Sequence, residues 1–229
     1  MVDLSSLEGI NQNYFSPFLI FIKGATALPD KELLKLIHLD KYETVNKANK
    51  NQIAKNSKGY LFVAKNNGWV YILDDWSYSL WYDKEVRENL RSLSIAQKIT
   101  SAQRRRGFKP RRRSDQRNQE VIFSSFLSRR YDVFYCSVGD IDDSYDFAYF
   151  KNGQVIREYV VEDPFLKGGV VVKDIGTPFP IEKEAFLQKD TYGKVITVAK
   201  SLGIAFNLQQ DEIRIYHKDI SQIDFSEPF

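Results

Sequence analysis

The chain has little of what most metal and nucleophile-based sites require. Its 229 residues include one cysteine, Cys136, and two histidines, His38 and His217. A single cysteine excludes an intramolecular disulfide framework and fits a reducing compartment. The sequence also lacks a phosphate-binding loop, zinc-ligand pairs and a serine nucleophile elbow. We therefore expect no metal and no other cofactor. An enzyme is the less favoured class, although an activity built from scattered Asp, Glu and Tyr side chains stays open.

Long hydrophobic runs are missing as well. Apolar runs are short: residues 18–22, one of the longest, stop at Lys23, whereas a membrane span needs about 20 apolar residues. The first residues, MVDLSSLEG, lack the cationic and apolar regions of a secretory signal. Apolar residues nevertheless make up 43% of the chain, which is enough for a buried core. These features predict a cytoplasmic protein without a membrane partner.

Turn residues and alternating apolar residues predict a mainly antiparallel sheet. Asn66-Asn67-Gly68 and Lys151-Asn152-Gly153 are typical of tight turns between paired strands, because Asn and Gly accept positive φ angles. We expect strands on either side of both turns and at three further places: residues 15–23, 60–65, 69–74, 132–138, 145–150, 154–161 and 212–217. Pro and Gly residues predict an irregular connection over 164–180.

Helices are predicted between these strands. Asp30 is a candidate N-cap for a helix through about residue 38. Further helices are expected from Asp83 to the start of a basic insertion, and at 120–130, 182–188 and 192–202, the last with Gly203 as its C′ residue. The expected class is α+β: a mainly antiparallel sheet built from hairpins and a meander, with helices packed on it. We expect a single domain over residues 1–229 with a basic insertion at about 100–118.

The most unusual segment is RRRGFKPRRRSDQR, residues 104–117. Its net charge is +7, against +3 for the whole chain, so the rest of the protein carries −4. Clustered guanidinium groups bind phosphates and an aromatic ring stacks on bases, which favours nucleic acid. Alternatively, the segment docks on an acidic partner or on an acidic surface of this protein. Its candidate binding residues are Arg104, Arg105, Arg106, Phe108, Lys109, Arg111, Arg112, Arg113 and Arg117.

An acidic segment lies between two predicted strands and contains Asp140, Asp142, Asp143 and Asp146. Clustered carboxylates suit hard cations. The calcium-loop spacing fails, however, because Tyr145 stands where the loop needs Gly and Lys151 where it needs Glu. We therefore expect a solvated turn that contacts basic groups of the Arg-rich segment or of a cationic partner.

Aromatic residues form a third feature. Trp69, Tyr71 and Leu73 alternate along a predicted strand, which indicates a core face. Trp76, Tyr78 and Trp81 follow the end of that strand, where a loop would expose them. Since Trp and Tyr are enriched in binding hot spots, we predict a partner-binding rim at these three residues.

The order of these elements is itself informative. FLIFIKG is followed by a Leu-rich helix, by NNGWVYILDD and later by FAYFKNGQV. This order, over about residues 15–205, resembles an uncharacterised family of bacterial domains related to immunity proteins for polymorphic toxins. Its motifs here are Gly68-Trp69 and Phe147 to Val155, and it supplies no catalytic residues.

Two functional interpretations follow. The resemblance, with the aromatic and acidic residues, implies a protein that binds another macromolecule, most specifically an immunity-type inhibitor that binds a partner protein such as a toxin. The alternative is a nucleic-acid-binding accessory protein that uses residues 104–117.

Overall fold

The computed structural model describes residues 2–3, 17–37, 39, 41–44, 60–75, 123–138, 143–163, 168–208 and 213–218. The helix predicted from Asp83 to the basic insertion lies outside these ranges. So does the whole Arg-rich segment.

The described residues form eleven strands, of which nine make one antiparallel sheet. Its order is β3-β11-β4-β5-β2-β6-β7-β8-β9, and β1 and β10 pair separately. The architecture is thus mostly β with few helices, and the predicted α+β class is compatible with it. The strands are β1 (Val2–Asp3), β2 (Pro17–Lys23), β3 (Glu43–Thr44), β4 (Tyr60–Asn66), β5 (Trp69–Asp75), β6 (Asp132–Val138), β7 (Tyr145–Lys151), β8 (Gln154–Glu162), β9 (Val170–Gly176), β10 (Asn207–Leu208) and β11 (Arg214–His217).

Helices cover both faces of this sheet. Helices α2 (Glu182–Ala185) and α3 (Thr191–Ser201) pack on the face that contains Phe21 and Phe134, here called the α3 face. Helix α1 (Asp30–Leu36) and the helical residues 123–127 pack on the opposite face, here called the α1 face, which contains Ile20 and Ile22. Successive residues of a strand point to opposite faces. The central strands are therefore apolar at nearly every position.

Two tight turns anchor the sheet to helix ends. Asn67 and Gly68 join β4 to β5, and Asn152 and Gly153 join β7 to β8; all four have positive φ, as in a type I′ turn. Asn67 Nδ2 donates to the carbonyl of Gly203, which follows α3, at 2.8 Å. The Gly153 amide donates to the carbonyl of Ser128, which follows helical residues 123–127, at 3.1 Å.

Helix α3 has a complete cap at each end. The Asp190 carboxylate accepts a hydrogen bond from the Gly193 amide at the N-terminus. At the C-terminus, Gly203 has φ +84°, its amide donates to Lys200, and the Ile204 amide donates to Ala199. These two bonds define a Schellman motif. The prediction of Gly203 as the C′ residue is confirmed.

The prediction of Asp30 as an N-cap is wrong. Pro29 occupies the cap position without a capping side chain, and Asp30 is the first residue of α1. The Asp30 carboxylate instead accepts hydrogen bonds from Arg214 Nε and Tyr216 Oη of β11, and it lies 3.1 Å from Lys65 Nζ of β4. A charged network with three donors is stronger than one capping bond.

The prediction of an irregular connection over 164–180 is also wrong, because this stretch contains β9. The strand reads VVVKDIG and is exposed at every position except Lys173, which is half-buried. It lacks the alternation that identifies a half-buried strand. Its pairing with β8 is a tertiary contact that local sequence does not encode.

We predict that Asp30→Asn destabilises the protein by about 1.5–3 kcal/mol at pH 7. Burial raises the pKa of Asp30, but hydrogen bonds from Tyr216, Arg214 and Lys65 outweigh burial, and the net pKa is lowered. Its stabilisation is therefore complete above about pH 4 and is lost as pH falls through the lower pKa of the folded state. Urea unfolding at pH 7 and at about pH 2.5 tests this. A loss that is equal at both pH values would contradict the prediction, and Glu32→Gln, at an exposed residue of the same helical turn, is the control.

Candidate functional site

The described part of the chain contains only two of the predicted acidic contact residues, Asp143 and Asp146. Asp143 is exposed. Asp146 is 3% exposed within β7 and accepts a hydrogen bond from the Ser137 hydroxyl of β6. The prediction that Asp146 belongs to a solvated acidic turn is therefore wrong, because the turn ends before the strand that buries this carboxylate. Asp140, Asp142, Trp76, Tyr78 and Trp81, and the nine candidate residues of the Arg-rich segment, lie outside the described residues.

Cys136 is a core residue of β6 with no exposed surface. Burial raises the pKa of its thiol well above the ordinary value, and the charge of Asp146 raises it further. A thiol in this environment stays protonated at neutral pH and does not act as a nucleophile. This agrees with its prediction as a small buried hydrophobe.

Exposed apolar side chains concentrate at one end of the sheet. Among the described residues, six large hydrophobic side chains are exposed, and four of them belong to β9, with Val170 at 62%. Soluble proteins bury most such side chains, and a cluster of them on the surface indicates an interaction site. We call β9 together with Ile156 the β9 edge. The six residues are Ile156, Val170, Val171, Val172, Ile175 and Leu187.

A β-bulge shapes this edge. Val160 pairs with Lys173 and Val161 pairs with Val171, so that Val172 has no direct partner on β8. Bulges of this kind twist a strand and re-aim its side chains. The bulge therefore changes the alternation of β9, and apolar residues project on both sides of it.

Arg157 of β8 holds β9 from the α3 face. Its guanidinium donates to both carboxylate oxygens of Glu182 in α2, at 2.7 and 2.6 Å, and Nη1 donates to Asp174 of β9. The Arg157 and Glu182 side chains are 1% and 3% exposed. Burial lowers the pKa of Arg157, but the hydrogen bonds that the guanidinium donates to Glu182 and Asp174 outweigh burial and raise it. The three side chains thus connect β8, β9 and α2 through charge-assisted bonds.

Glu158, the next residue of β8, holds β9 from the α1 face. Its carboxylate is 1% exposed and lies 2.6 Å from Lys173 Nζ. Consecutive β8 residues of opposite charge thus contact consecutive β9 residues of opposite charge. If the pairing of β9 with β8 shifted by one residue, the β9 side chains would lie on the face opposite to their partners. The two ion pairs therefore fix the register of the edge strand.

Gly176 closes the strand where it meets the β8 backbone. Its φ is +84°, and a Cβ at this position would lie 1.9 Å from the Ile156 carbonyl oxygen. No other residue fits without moving β8. Gly176 therefore fixes the C-terminal end of β9 beside Ile156.

Lys173 and Asp174 of the β9 edge are paired with Glu158 and Arg157 of β8, and the edge has no Ser, Thr, Cys or His side chain. The described residues contain no group of three or more His, Cys, Asp or Glu side chains that could hold a metal ion. None of the helices in the described ranges has the length and apolar character needed to cross a bilayer. What the site presents is a rigid strand with exposed backbone and apolar side chains.

Comparison with known proteins gives no family: no family model, no curated protein and no solved structure matches this chain.

Sequence reasoning missed this site, although a signal for it exists. Residues 170–172 are three consecutive valines, followed by Ile175, and β-branched residues are enriched in strands. Alternation is not required of a strand whose two faces are both exposed.

We predict that breaking the buried ion pair costs more stability than replacing it. Glu182→Ala leaves the Arg157 charge without its main partner, and such losses typically reach about 3–5 kcal/mol. The double variant Arg157→Met/Glu182→Leu should recover much of this, since apolar residues of similar size remove the desolvation penalty of both charges. Urea unfolding of the single and double variants measures both values. A double variant less stable than Glu182→Ala would contradict this expectation.

We predict that Gly176→Ala is more destabilising than Gly24→Ala. Both glycines have φ +84°, but the space around Gly24 is open, so Gly24→Ala carries only the backbone strain of about 1–2 kcal/mol. Gly176→Ala adds the steric conflict with the Ile156 carbonyl. Chemical denaturation gives the difference, and amide exchange over 170–176 locates it. Equal losses for the two variants would show that Ile156 moves aside freely.

Proposed function

We propose that this chain is a cytoplasmic macromolecule-binding protein whose partner is another protein. The observation that supports this most directly is the β9 edge, where exposed apolar side chains cluster at one end of the sheet. Protein interfaces combine an apolar centre with a polar rim. Val170, Val172 and Ile175 provide apolar surface here, and Asp174 and Lys173 provide charges.

Rigidity also supports a binding role. The β9 strand is held by Arg157 on one face and by Glu158 on the other. A surface that is already ordered loses less entropy when a partner binds. An inhibitor needs this property and a complementary surface, and it requires no catalytic group.

The most specific form of the proposal is an immunity-type inhibitor that binds and blocks a toxin. The resemblance of the element order to immunity-related bacterial domains supports this form, as do the apolar edge and the acidic and aromatic segments of the sequence. Trp76, Tyr78 and Trp81 are proposed to add to the same or a second contact surface.

The alternative is nucleic-acid binding by residues 104–117, whose net charge of +7 supports it. The described β9 edge does not favour this function, because phosphate binding needs several positive charges. Lys173 is the only cation of β9 and already contacts Glu158.

We expect a protein partner that survives nuclease treatment and depends on the β9 edge. The chain is purified from its native cells with its partner, with and without nuclease, and the partner is identified, purified and titrated by calorimetry. Val170→Lys/Ile175→Lys should weaken binding at least about tenfold, because two exposed apolar contacts are replaced by charges. Thr44→Lys, on the edge strand β3 at the other end of the sheet, is the matched control and should bind as the wild type does.

The opposite outcome is also defined. If nuclease removes the partner, the chain should bind RNA or DNA with a submicromolar Kd. This is tighter than the non-specific Kd of about 10⁻⁴ to 10⁻⁶ M at physiological salt. Changing Arg104, Arg105, Arg106, Arg111, Arg112 and Arg113 to Ser should then abolish that affinity. This pair of results would replace the protein-binding proposal with the nucleic-acid alternative.

A further inference from the structure

We propose that β9 binds its partner by strand addition: an extended segment of the partner pairs antiparallel with β9, with a basic residue opposite Asp174 and an acidic residue opposite Lys173. This inference rests on the proposed protein-binding function and specifies how the partner is recognised.

The first support is the position of β9 in the sheet. It is the last strand in the order of the nine, and within the described ranges it pairs only with β8. The outer side of an edge strand presents N–H and C=O groups that another strand pairs with. Proteins that bind extended peptides use such an edge for affinity and the flanking side chains for specificity.

The second support is the absence of the usual protection against strand pairing at most of this edge. Natural edge strands carry charges, prolines or bulges that block further pairing. Strand β9 has one bulge, at Val172. Its two charged side chains, Asp174 and Lys173, form ion pairs with Arg157 and Glu158 of β8. The remaining side chains, Val170, Val171 and Ile175, are apolar and exposed. Such an edge is suited to receive a strand.

Charge disfavours a second copy of this chain in the two symmetric registers that are centred on the charged residues of β9. In a two-fold symmetric antiparallel pair, a register centred on Lys173 places the two Lys173 side chains opposite each other. A register centred on Asp174 does the same with two carboxylates. Like charges directly opposite one another destabilise paired strands, and opposite charges stabilise them. The edge therefore selects a different strand with complementary charges.

The same reasoning gives the order of charges in that strand. Lys173 and Asp174 remain 34% and 55% exposed, so an incoming side chain can contact both. Because the partner segment is antiparallel to β9, the residue opposite Asp174 precedes the residue opposite Lys173 in the partner's sequence. The partner therefore carries a basic residue immediately followed by an acidic residue, flanked by β-branched residues that face Ile175 and Val170–Val172.

Two synthetic peptides of equal composition test this. The first is Thr-Val-Lys-Glu-Val-Thr-Val, and the second, Thr-Val-Glu-Lys-Val-Thr-Val, reverses the two charges. Each is titrated into the isotopically labelled wild-type chain, and amide chemical shifts are followed by NMR. We expect the first peptide to shift the amides of residues 170–176 and to bind at least about threefold more tightly than the second, because both cross-strand charge pairs change sign. High salt should reduce that preference.

Several results would overturn strand addition. They are equal or reversed affinities of the two peptides, shifts that fall outside β9, or no binding by either peptide. A free chain that is already a dimer, and that Val170→Lys makes monomeric, would assign the edge to a second copy. These failures are distinct from failure of the proposed function, since the purified protein partner is titrated separately and its binding does not depend on the peptides.

Discussion

Arg157 and Glu182 form a nearly completely buried ion pair that joins β8 to α2, and the organisation of the sheet's last two strands depends on it. Two charges removed from water destabilise a fold unless each is fully paired. Here the guanidinium also donates hydrogen bonds to Asp174 and to the Ile175 carbonyl. The Glu182 carboxylate also accepts a hydrogen bond from the Phe179 amide. One arginine thereby fixes the edge strand, the connection after it and the first helix of the α3 face. These contacts hold β9, which has most of the exposed apolar side chains, in one register.

The parts of the fold that depend on local sequence were predictable. Asn-Gly pairs predicted the turns at 67–68 and 152–153. The strands on either side of each turn lie where their apolar composition predicted them. Gly203 and Asp190 limit α3 through bonds within a few residues. The coarse class, mostly antiparallel sheet with helices, follows from these local features. The burial of both sheet faces was not evident, although the nearly continuous apolar runs of β2 and β6 are consistent with it.

The parts that depend on distant residues were not predictable. Asp30 has the residue type and position of an N-cap, yet its partners are 35 to 186 residues away in sequence. Asp146 belongs to a run of carboxylates, yet a hydroxyl on the neighbouring strand and the core around it determine its environment. The sequence of β9 lacks alternation and is not preceded by an Asn-Gly pair, and its register depends on Arg157, Glu158 and Gly176. The three valines at 170–172 indicate a strand, but its place at the end of the sheet depends on long-range contacts that local sequence does not encode.

The position of β11 has a consequence for how the chain folds during synthesis. This strand, residues 214–217, lies between β3 and β4, and it pairs with both. Strands β4 and β5 leave the ribosome about 140 residues earlier, which corresponds to roughly 7–30 s at ordinary rates of synthesis. Throughout this interval the β4 edge lacks its native neighbour, and the carboxylate of Asp30 lacks Arg214 and Tyr216. Until β11 inserts between β3 and β4, the β4 edge of the nascent chain is therefore exposed to wrong strand pairing, and this insertion joins strands far apart in sequence.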